Sequence, residues 1–458
     1  MKVLKFGGTS VGTPSSLRNV VKIANILDQS AVIVVSALGG VTDLLIATAR
    51  KAADGDASYL DDIAELKRRH MAMIEASVPE KNRTPIAEFA QEMLGQMSDI
   101  CRGLSLVGEL TERSLDMIVA FGERISSRIV AGAIPGAIHV DSLEVIRTER
   151  WFGKNIADTK LTSSLIKEHL SDIQEKHPVV MGGFISRDRD SSRITNLGRG
   201  GSDYTAALVA AALNAEELQI WTDVDGFMTA DPRIIKSAQV LRELSFVESM
   251  ELCSFGAKVI YPPTIYPVFK KGIPIRILNT FHISAPGTWI TDHSATQQQE
   301  KVHGLAALRD CCLINIKGES IANMADSNSR IFNTLAKQGI NVLLVSRTAP
   351  VATVSFAVKG SDSELAMKEL QREFAPELTS GTVHGIAMTE EVETVAAVGE
   401  NIGNNFAVRS KIFNTLETGG IEVLAAAYGT SPTTVSFVVP KGKADKAMKF
   451  LHKNIIEE

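Results

Sequence analysis

The sequence has little of what would mark a secreted, membrane-bound or nucleic-acid-binding protein. It contains only four cysteines, and none stands in a CxxC pair, so a reducing, cytoplasmic setting is predicted. No apolar run approaches the roughly 18 residues of a membrane-spanning helix, and the opening MKVLKFGG is too short for the core of a signal peptide. The net charge of −5 and the lack of a basic run predict neither a nucleic-acid nor a membrane partner.

Short β-branched runs alternate with longer amphipathic or alanine-rich segments from Val3 to about Ile290. The runs predicted to be buried strands include Val32 to Val35, Pro178 to Met181, Leu218 to Val224 and Ile273 to Leu278. Alternation of this kind predicts an α/β fold with a mainly parallel sheet and helices on both faces. The polar stretch from Pro286 to His303 that follows is the best candidate for a linker.

The C-terminal part of the chain repeats itself with an offset of 81 residues. Ser329 to Ser346 matches Ser410 to Ala427 at 10 of 18 positions, and Thr353 to Val358 matches Thr434 to Val439 at 5 of 6. Each copy reads strand, loop, helix, glycine, strand, turn, strand, and then another helix. Two copies favour a paired module over a solenoid. Such a pair behind a large domain is more typical of a sensor than of structural filler.

A lysine and a glycine pair end the first predicted strand, in the segment Lys5-Phe6-Gly7-Gly8-Thr9-Ser10. Glycines let backbone N–H groups approach phosphate oxygens, and the helix that follows adds a favourable dipole. Gly7 and Gly12 have the spacing of the Walker A glycines, but Thr13-Pro14 stands where that motif requires lysine and a hydroxyl residue. Taken alone, the segment fits either a phosphate loop or a plain tight turn.

A second glycine-rich loop, Leu197-Gly198-Arg199-Gly200-Gly201-Ser202-Asp203, leads directly into an apolar helix. Arg199 among glycines at a helix start describes an anion pocket, because a guanidinium can grip a carboxylate or phosphate with two bonds. The dinucleotide-binding fingerprint fails because Asp203 occupies its third glycine position. The simpler alternative makes Ser202 a helix cap and Asp203 a favourable first-turn charge.

A polar loop, Thr222-Asp223-Val224-Asp225-Gly226, follows a buried strand at the place where open α/β sheets bind nucleotides. Its two aspartates lack the further ligands of a calcium loop, so no metal site is predicted there. Arg233 and Lys258, further along the chain, are candidate phosphate contacts.

Taken in this order, these segments resemble the motifs of the aspartokinases of the amino-acid kinase superfamily. The matching segments are Lys5 to Val11, Ser36-Ala37 with Thr42, Phe121-Gly122-Glu123, Gly182 to Ile185, Leu197 to Asp203, Thr222 to Gly226, Thr229 to Arg233 and Phe255 to Val259. The repeats resemble the two ACT domains of that family. The resemblance covers nearly the whole chain and implies a three-layer αβα kinase domain followed by two α+β, ferredoxin-like ACT modules.

The family pattern also implies where the domains begin and end. The expected bounds are 1–290 for the kinase domain, 291–302 for the linker, 311–388 for the first ACT module, and 303–310 with 389–458 for the second. The first repeat is thus inserted into the second module, to which His303 to Arg309 contributes a strand.

The resemblance implies an ATP-dependent kinase that converts L-aspartate to 4-phospho-L-aspartate, the first step of lysine, threonine and methionine biosynthesis. Lys5 and Lys258 would neutralise the transferred phosphoryl group, with Asp203 positioning Lys5. The residues expected to hold aspartate are Thr42, Glu123, Arg199 and Ser202, with Glu123 facing its amino group and Arg199 a carboxylate. The residues expected to contact ATP are Lys5, Gly7, Gly8, Thr9, Gly201, Thr222, Asp223, Met228, Arg233 and Lys258. Magnesium is implied because ATP chemistry uses it, although no dedicated set of protein ligands is visible.

An amino-acid effector is expected in the ACT pair, at Met324, Asp326, Ser327, Asn328, Asn341 and Val342. Some lysine-regulated members carry an aspartate at the position of Leu343, so threonine is favoured over lysine as the inhibitor. Met228 stands where some members place a tyrosine beside the adenosine. Paired ACT modules also imply a homodimer or a higher homo-oligomer.

Two alternatives stay open at this stage. The chain could be a kinase of another amino acid or of carbamate in the same superfamily, because Arg199 and Glu123 do not fix the chain length of the substrate. It could also be a catalytically inactive amino-acid-binding regulator, although Lys5, Asp203 and Lys258 are intact. Some relatives continue into a homoserine dehydrogenase domain, but these residues contain no Rossmann fingerprint and predict no NADP binding.

Overall fold

The computed structural model describes residues 1–26, 31–151, 154–292, 301–318, 327–348, 353–429 and 431–457. The chain forms two compact units. The first unit consists of Met1–Phe227 and Ile260–Asp292, and the second of Met228–Val259 and His293–Glu458. Among the described residues, no helix is both long and apolar enough to cross a membrane.

The strands are numbered in chain order. They are β1 (Lys2–Phe6), β2 (Ala31–Val35), β3 (Ile138–Val140), β4 (Arg147–Trp151), β5 (Lys154–Ala157), β6 (Val179–Gly182), β7 (Ile185–Asp188), β8 (Ile194–Asn196), β9 (Glu217–Thr222), β10 (Glu243–Ser245), β11 (Ile275–Asn279), β12 (Thr288–Thr291), β13 (Gly304–Lys317), β14 (Leu344–Thr348), β15 (Thr353–Lys359), β16 (Gly385–Val398), β17 (Ala425–Ala427) and β18 (Thr434–Pro440).

The helices are numbered in the same way. They are α1 (Gly8–Val11), α2 (Pro14–Ile26), α3 (Val41–Ala53), α4 (Tyr59–Ser77), α5 (Glu80–Val107), α6 (Glu112–Ala133), α7 (Ser142–Val145), α8 (Thr159–Gln174), α9 (Gly201–Leu213), α10 (Phe246–Ser254), α11 (Ile265–Phe269), α12 (Ser327–Lys337), α13 (Gly360–Glu373), α14 (Ala375–Ser380), α15 (Phe406–Thr418) and α16 (Ala444–Leu451). A 3₁₀ turn covers Pro262–Thr264 and a π-helical turn covers His452–Ile456.

The main sheet of the first unit has the strand order β12-β11-β9-β1-β2-β6-β3. β1 lies in its middle and runs parallel to β2 and β9, so that Lys5 lies opposite Val34 and Ile220. Only β12 runs antiparallel to its neighbour in this set, which confirms the predicted α/β fold with a mainly parallel sheet. All five side chains of β2 are buried, as expected for a central strand covered on both faces.

β2, β6 and β11 confirm three of the predicted strands. The fourth prediction, Leu218 to Val224, is too long, because β9 ends at Thr222 and Val224 is 38% exposed. The chain turns into a loop there, and a β-branched residue outside the sheet buries little surface. A smaller sheet of order β5-β4-β7-β8 also belongs to the first unit, and its last strand leads into the glycine-rich turn before α9.

The second unit contains one six-stranded antiparallel sheet of order β14-β15-β13-β16-β18-β17. β13 is shared by the two repeats: Leu305 pairs with Ala397 of β16, and Ile314 lies between Phe356 of β15 and Met388 of β16. Each repeat packs its own helices on this sheet. One core contains Ile331, Leu335, Phe356 and Leu370, and the other contains Leu416, Phe437 and Met448. The predicted α+β character of the repeats is confirmed.

Candidate functional site

The loop after β1 is held close to its neighbours by backbone contacts. The N–H of Gly7 donates to the carbonyl oxygen of Trp221 over 3.4 Å, and α1 begins at Gly8. A Cβ atom on Gly8 would come within 3.1 Å of the carbonyl oxygen of Ala37, so this position favours glycine. Thr9 is exposed on the first turn. The glycine pair therefore brings backbone to within close range of a second loop, the one that follows β2.

Lys5 and Asp203 form an ion pair at the end of β1. Lys5 Nζ lies 2.6 Å from Asp203 Oδ1, and each side chain is 12% exposed. A Cβ atom on Gly7 would sit 3.5 Å from Lys5 Nζ, so the ammonium lies directly beside the glycine loop. Paired with a carboxylate, this lysine keeps a fixed position and its charge beside that loop. The structure thus brings Lys5, Asp203 and Gly7 together.

The glycine-rich turn before α9 has the backbone that the sequence pattern requires. Gly198 and Gly200 have φ angles of 72° and 69°, a region that strongly favours glycine. A Cβ atom on Gly200 would lie 2.2 Å from the Cβ of Tyr261, so the turn also has no room for a side chain. Gly201 then starts α9, whose first N–H groups point out of the helix toward any bound anion.

Glu123 is a buried acid of the first unit with a raised pKa. Its side chain is buried, and burial raises its pKa to about 8. Oε1 accepts a bond from the N–H of Ala37 over 3.1 Å. Oε2 has no hydrogen-bond partner among the described residues. A buried carboxyl with one unoccupied oxygen is suited to receive a cationic group such as an ammonium.

Ser202 connects Glu123 to the Lys5–Asp203 pair. The hydroxyl of Ser36 donates to Ser202 Oγ over 3.0 Å, and Ser36 precedes Ala37, whose N–H binds Glu123. A Cβ atom on Gly183 would come within 2.6 Å of Ser202, which explains the glycine that follows β6. Ser36 is not among the site residues predicted from the sequence. Its position at the end of β2, next to another glycine-containing loop, was the feature of the sequence that could have indicated it.

Two other predicted substrate residues, Thr42 and Arg199, lie on neighbouring segments of the chain: Thr42 follows the loop after β2, and Arg199 precedes α9. Thr42 is half-buried in the first turn of α3, after Gly40, which has a φ angle of 74°. Arg199 is exposed and lines a cavity of about 560 Å³ together with Tyr204, Tyr261 and residues of α6. A free guanidinium at the edge of a cavity is available to an anionic ligand.

The predicted nucleotide residues are divided between the two units. Thr222 and Asp223 end β9 in the first unit, and the Thr222 hydroxyl donates to Asp223 Oδ1 over 3.2 Å. Met228, Arg233 and Lys258 belong to the second unit. There Arg233 is 80% exposed and pairs with Asp231 over 2.7 Å, while Lys258 is exposed.

Of the predicted effector residues, Met324 and Asp326 lie outside the described residues. Ser327 and Asn328 begin α12, and Asn341 and Val342 precede β14. Leu343 is half-buried, and its N–H donates to the carbonyl oxygen of Ala357 over 2.8 Å.

The described part of the chain contains no group of three or more His, Cys, Asp or Glu side chains that could hold a metal ion. Mg²⁺ in phosphoryl-transfer enzymes is held largely by the nucleotide phosphates and water, with only one or two protein carboxylates. The exposed Asp223 and the paired Asp203 are compatible with that kind of binding and not with a dedicated protein cage.

The model of the amino acid kinase family matches residues 1–279, and the chain belongs to this family. The ACT domain model matches residues 314–374 and 395–455, one match for each repeat. The resemblance to aspartokinases that carry tandem ACT domains is confirmed by both matches and by the relatives.

Curated relatives match along nearly the whole chain. A bifunctional aspartokinase/homoserine dehydrogenase of Haemophilus influenzae is 30% identical over 469 residues, which cover 99% of this chain and 56% of that protein. The chloroplastic aspartokinase 1 of Arabidopsis thaliana is 29% identical, with 99% of this chain and 80% of that protein covered. The chain spans about half the length of the bifunctional relatives that it matches.

Among solved structures, E. coli aspartokinase III in complex with aspartate and ADP, in its R-state, superposes with a TM-score of 0.85. It is 27% identical, and all of both chains is covered. The T-state of the same enzyme with lysine and aspartate superposes with a TM-score of 0.76 at the same identity, covering 99% of each chain.

Proposed function

We propose that the chain is an ATP-dependent aspartate kinase that transfers the γ-phosphoryl group of ATP to the side-chain carboxylate of L-aspartate. The observation that carries this proposal is the set of contacts from Glu123 through Ser36 and Ser202 to the Lys5–Asp203 pair. It places an unsatisfied buried carboxyl at one end and a fixed ammonium at the other. The E. coli enzyme with aspartate and ADP bound, which shares this fold, supports the same substrates.

In the first unit, some charged side chains bind the amino acid and others act on the phosphate. Glu123 receives the α-ammonium of aspartate, and its free oxygen supports that role. Arg199 binds a carboxylate, while Thr42 and Ser202 donate or accept hydrogen bonds at the substrate. Lys5, fixed by Asp203, offsets the negative charge that develops on the transferred phosphoryl group.

ATP binds across Gly7, Gly8, Thr9, Gly201, Thr222 and Asp223 of the first unit. The close backbone of the glycine loop and the start of α9 support phosphate binding here. Mg²⁺ bound with the nucleotide supplies charge neutralisation on the phosphates. The protein's share is to orient both reactants and keep Lys5 in place.

Regulation is part of the proposal. We propose kinase and ACT domains with the bounds 1–290, 311–388, and 303–310 with 389–458, and a homodimer or higher homo-oligomer formed through the ACT modules. An end-product amino acid binds at Met324, Asp326, Ser327, Asn328, Asn341 and Val342. Threonine is favoured over lysine because Leu343 cannot pair with an ammonium. The E. coli enzyme was solved with lysine, so the effector must be tested directly. A cytoplasmic location is supported by the free thiols of Cys101, Cys311 and Cys312.

A coupled ADP-release assay with MgATP and either aspartate or glutamate tests the chemistry. Lys5→Ala is expected to reduce kcat by about 100-fold or more, because it removes charge stabilisation at the reacting group. Lys2→Ala is the matched control, since Lys2 lies on the same strand and pairs with Glu217 over 2.9 Å.

Turnover with glutamate instead of aspartate would make the chain a different amino-acid kinase. Binding of an amino acid without turnover would instead favour the inactive regulator. Repeating the assay with threonine and with lysine identifies the effector, and inhibition by lysine alone would contradict the preference for threonine.

A further inference from the structure

Hydrogen bonds connect the turn that carries Arg199 to α6 through Asn196 and Asp116, two side chains that the proposed function does not use. Asn196, the last residue of β8, donates through Nδ2 to Oδ1 of Asp116 on α6. The other end of the same amide, Oδ1, accepts a bond from the N–H of Gly198 over 2.9 Å. Arg199 follows Gly198 directly, so the side-chain amide of Asn196 connects the start of the turn that carries Arg199 to α6.

The helix α6 also carries Glu123, seven residues beyond Asp116 in the sequence. Seven residues are two helical turns, which separates the two positions by about 10 Å along one side of the helix. One rigid element therefore fixes Glu123 and, through Asn196, the turn of Arg199. In the proposed function these two side chains bind the opposite charges of one substrate molecule.

Asp116 is held in place by more than Asn196. It is partly buried, which is the main reason that its pKa is raised to about 6, and Glu112 raises the pKa further. Arg150 of β4 and a hydrogen bond with Asn155 of β5 act in the opposite direction. Asp116 thus lies where α6, β4, β5 and β8 meet, at the cavity that Arg199 lines.

We propose that Asp116 and Asn196 are positioning residues that hold Arg199 at a fixed distance from Glu123 and so favour aspartate over longer amino acids. This inference rests on the proposed function. A fixed distance between Arg199 and Glu123 makes the site selective for the length of the substrate. In enzymes that discriminate by the shape of a pocket, one methylene changes selectivity by about 10- to 200-fold. A loosened turn would accept a longer side chain with less loss.

The test is steady-state kinetics of the full chain with aspartate and with glutamate. Asp116→Ala, which removes the bond from Asn196, is expected to raise KM for aspartate by about 2- to 10-fold. Asn196→Ala also removes the bond from Gly198 and should raise KM at least as much. KM for ATP should stay within about twofold, because neither residue touches the proposed nucleotide contacts of the first unit. The ratio of kcat/KM for aspartate to that for glutamate should fall in both variants.

Two further variants separate positioning from folding. Asp116→Asn keeps an acceptor oxygen for Asn196 and should lie between the wild type and Asp116→Ala. Glu112→Ala is the matched control, because Glu112 lies on the same helix and the same cavity, and its carboxylate pairs with the exposed Arg150 over 3.5 Å. Its selectivity should match that of the wild type.

Each outcome decides between distinct conclusions. A parallel rise in both KM values with a lowered melting temperature would make the pair merely structural and overturn the inference. Unchanged KM for aspartate in a well-folded Asp116→Ala would also overturn it, while leaving the proposed function intact. A wild type that neither turns over nor binds aspartate would overturn the proposed function, and this inference with it.

Discussion

Glu123 offers the sharpest test of the site, because function and stability should respond to its substitution in opposite directions. The ordinary pKa of a glutamate is 4.5, and burial raises that of Glu123 to about 8. An acid whose pKa is higher in the folded state contributes most stability below its unfolded pKa, and that contribution falls as the pH rises between the two values. At pH 7 the folded protein therefore carries a proton that the unfolded chain has lost.

The size of the effect follows from the same two values. From 4.5 to pH 7 is 2.5 units, each corresponding to about 1.4 kcal/mol, so the buried carboxyl costs the folded state roughly 3 kcal/mol. Glu123→Gln removes this cost while its amide oxygen still accepts from Ala37. Both the protonated acid and the amide leave a buried donor unpaired, so the substitution otherwise changes the free energy of unfolding little. The variant without ligand should be more stable at pH 7 by roughly 3 kcal/mol, and equally stable near pH 4.5.

Urea unfolding at pH 5 and at pH 7 measures the stability, and ADP-release kinetics measure KM for aspartate. The variant should lose affinity by about 30-fold or more, the loss expected when a buried charge pair with the substrate is broken. Glu217→Gln is the control, because Glu217 is also buried but already pairs with Lys2 over 2.9 Å, so its loss should destabilise. A Glu123→Gln protein that is less stable than the wild type at pH 7 would refute the reasoning.

Two further predictions concern other parts of the chain. In the second unit, Glu248 and His303 form a buried hydrogen-bonded pair at 2.6 Å, so Glu248→Gln should lower the free energy of unfolding by about 1–3 kcal/mol in urea titrations at pH 7. Burial opposes the shift, but the bond from His303 holds the pKa of Glu248 below its ordinary value, so the pair's contribution to stability is lost as the pH falls through the lowered pKa. The destabilisation caused by Glu248→Gln should therefore shrink on acidification, and one that stayed equally large at acidic pH would contradict the prediction. At the glycine turn, Gly198→Ala should lower the free energy of unfolding by only about 1–2 kcal/mol, the cost of backbone strain. Gly200→Ala should lower it more and also reduce kcat, because its Cβ would clash with Tyr261. Equal melting temperatures and equal kcat for the two variants would show that the contact with Tyr261 has no consequence.

The sequence predicted those parts of the molecule that depend on local pattern. Buried β-branched runs predicted β2, β6 and β11, because strands covered on both faces consist mostly of apolar side chains. The strand β9 was predicted too long, since Val224 favours strands but lies in a loop. The proximity of Lys5 and Asp203 was implied by family resemblance, and nothing in the sequence spacing of two such distant residues would show it.

The rest of the site depends on packing between distant segments, which no periodicity reveals. Glu123 is buried with one oxygen unpaired because α6 lies against the loop after β2. Asn196 hydrogen-bonds Asp116 because β8 ends beside α6. The sequence also did not indicate that Met228–Val259 packs with the repeats. That segment contributes Ala230 and Ile235 to the same core as Phe437, so it shares its core with the second repeat.

The contacts around Ser202 link the side chains to which the proposed function assigns the two reactants. Ser202 and Asp203 are consecutive residues in the first turn of α9, and in that turn one contacts Ser36 while the other holds Lys5. Because Ser36 is followed by Ala37, which binds Glu123, a shift of α9 would move the expected ammonium contact and the expected phosphoryl contact together. In the proposed function, the amino acid and the phosphate would then be aligned by two consecutive residues of one helical turn. In phosphoryl transfer such alignment is the protein's main contribution, since the reactants need little covalent help.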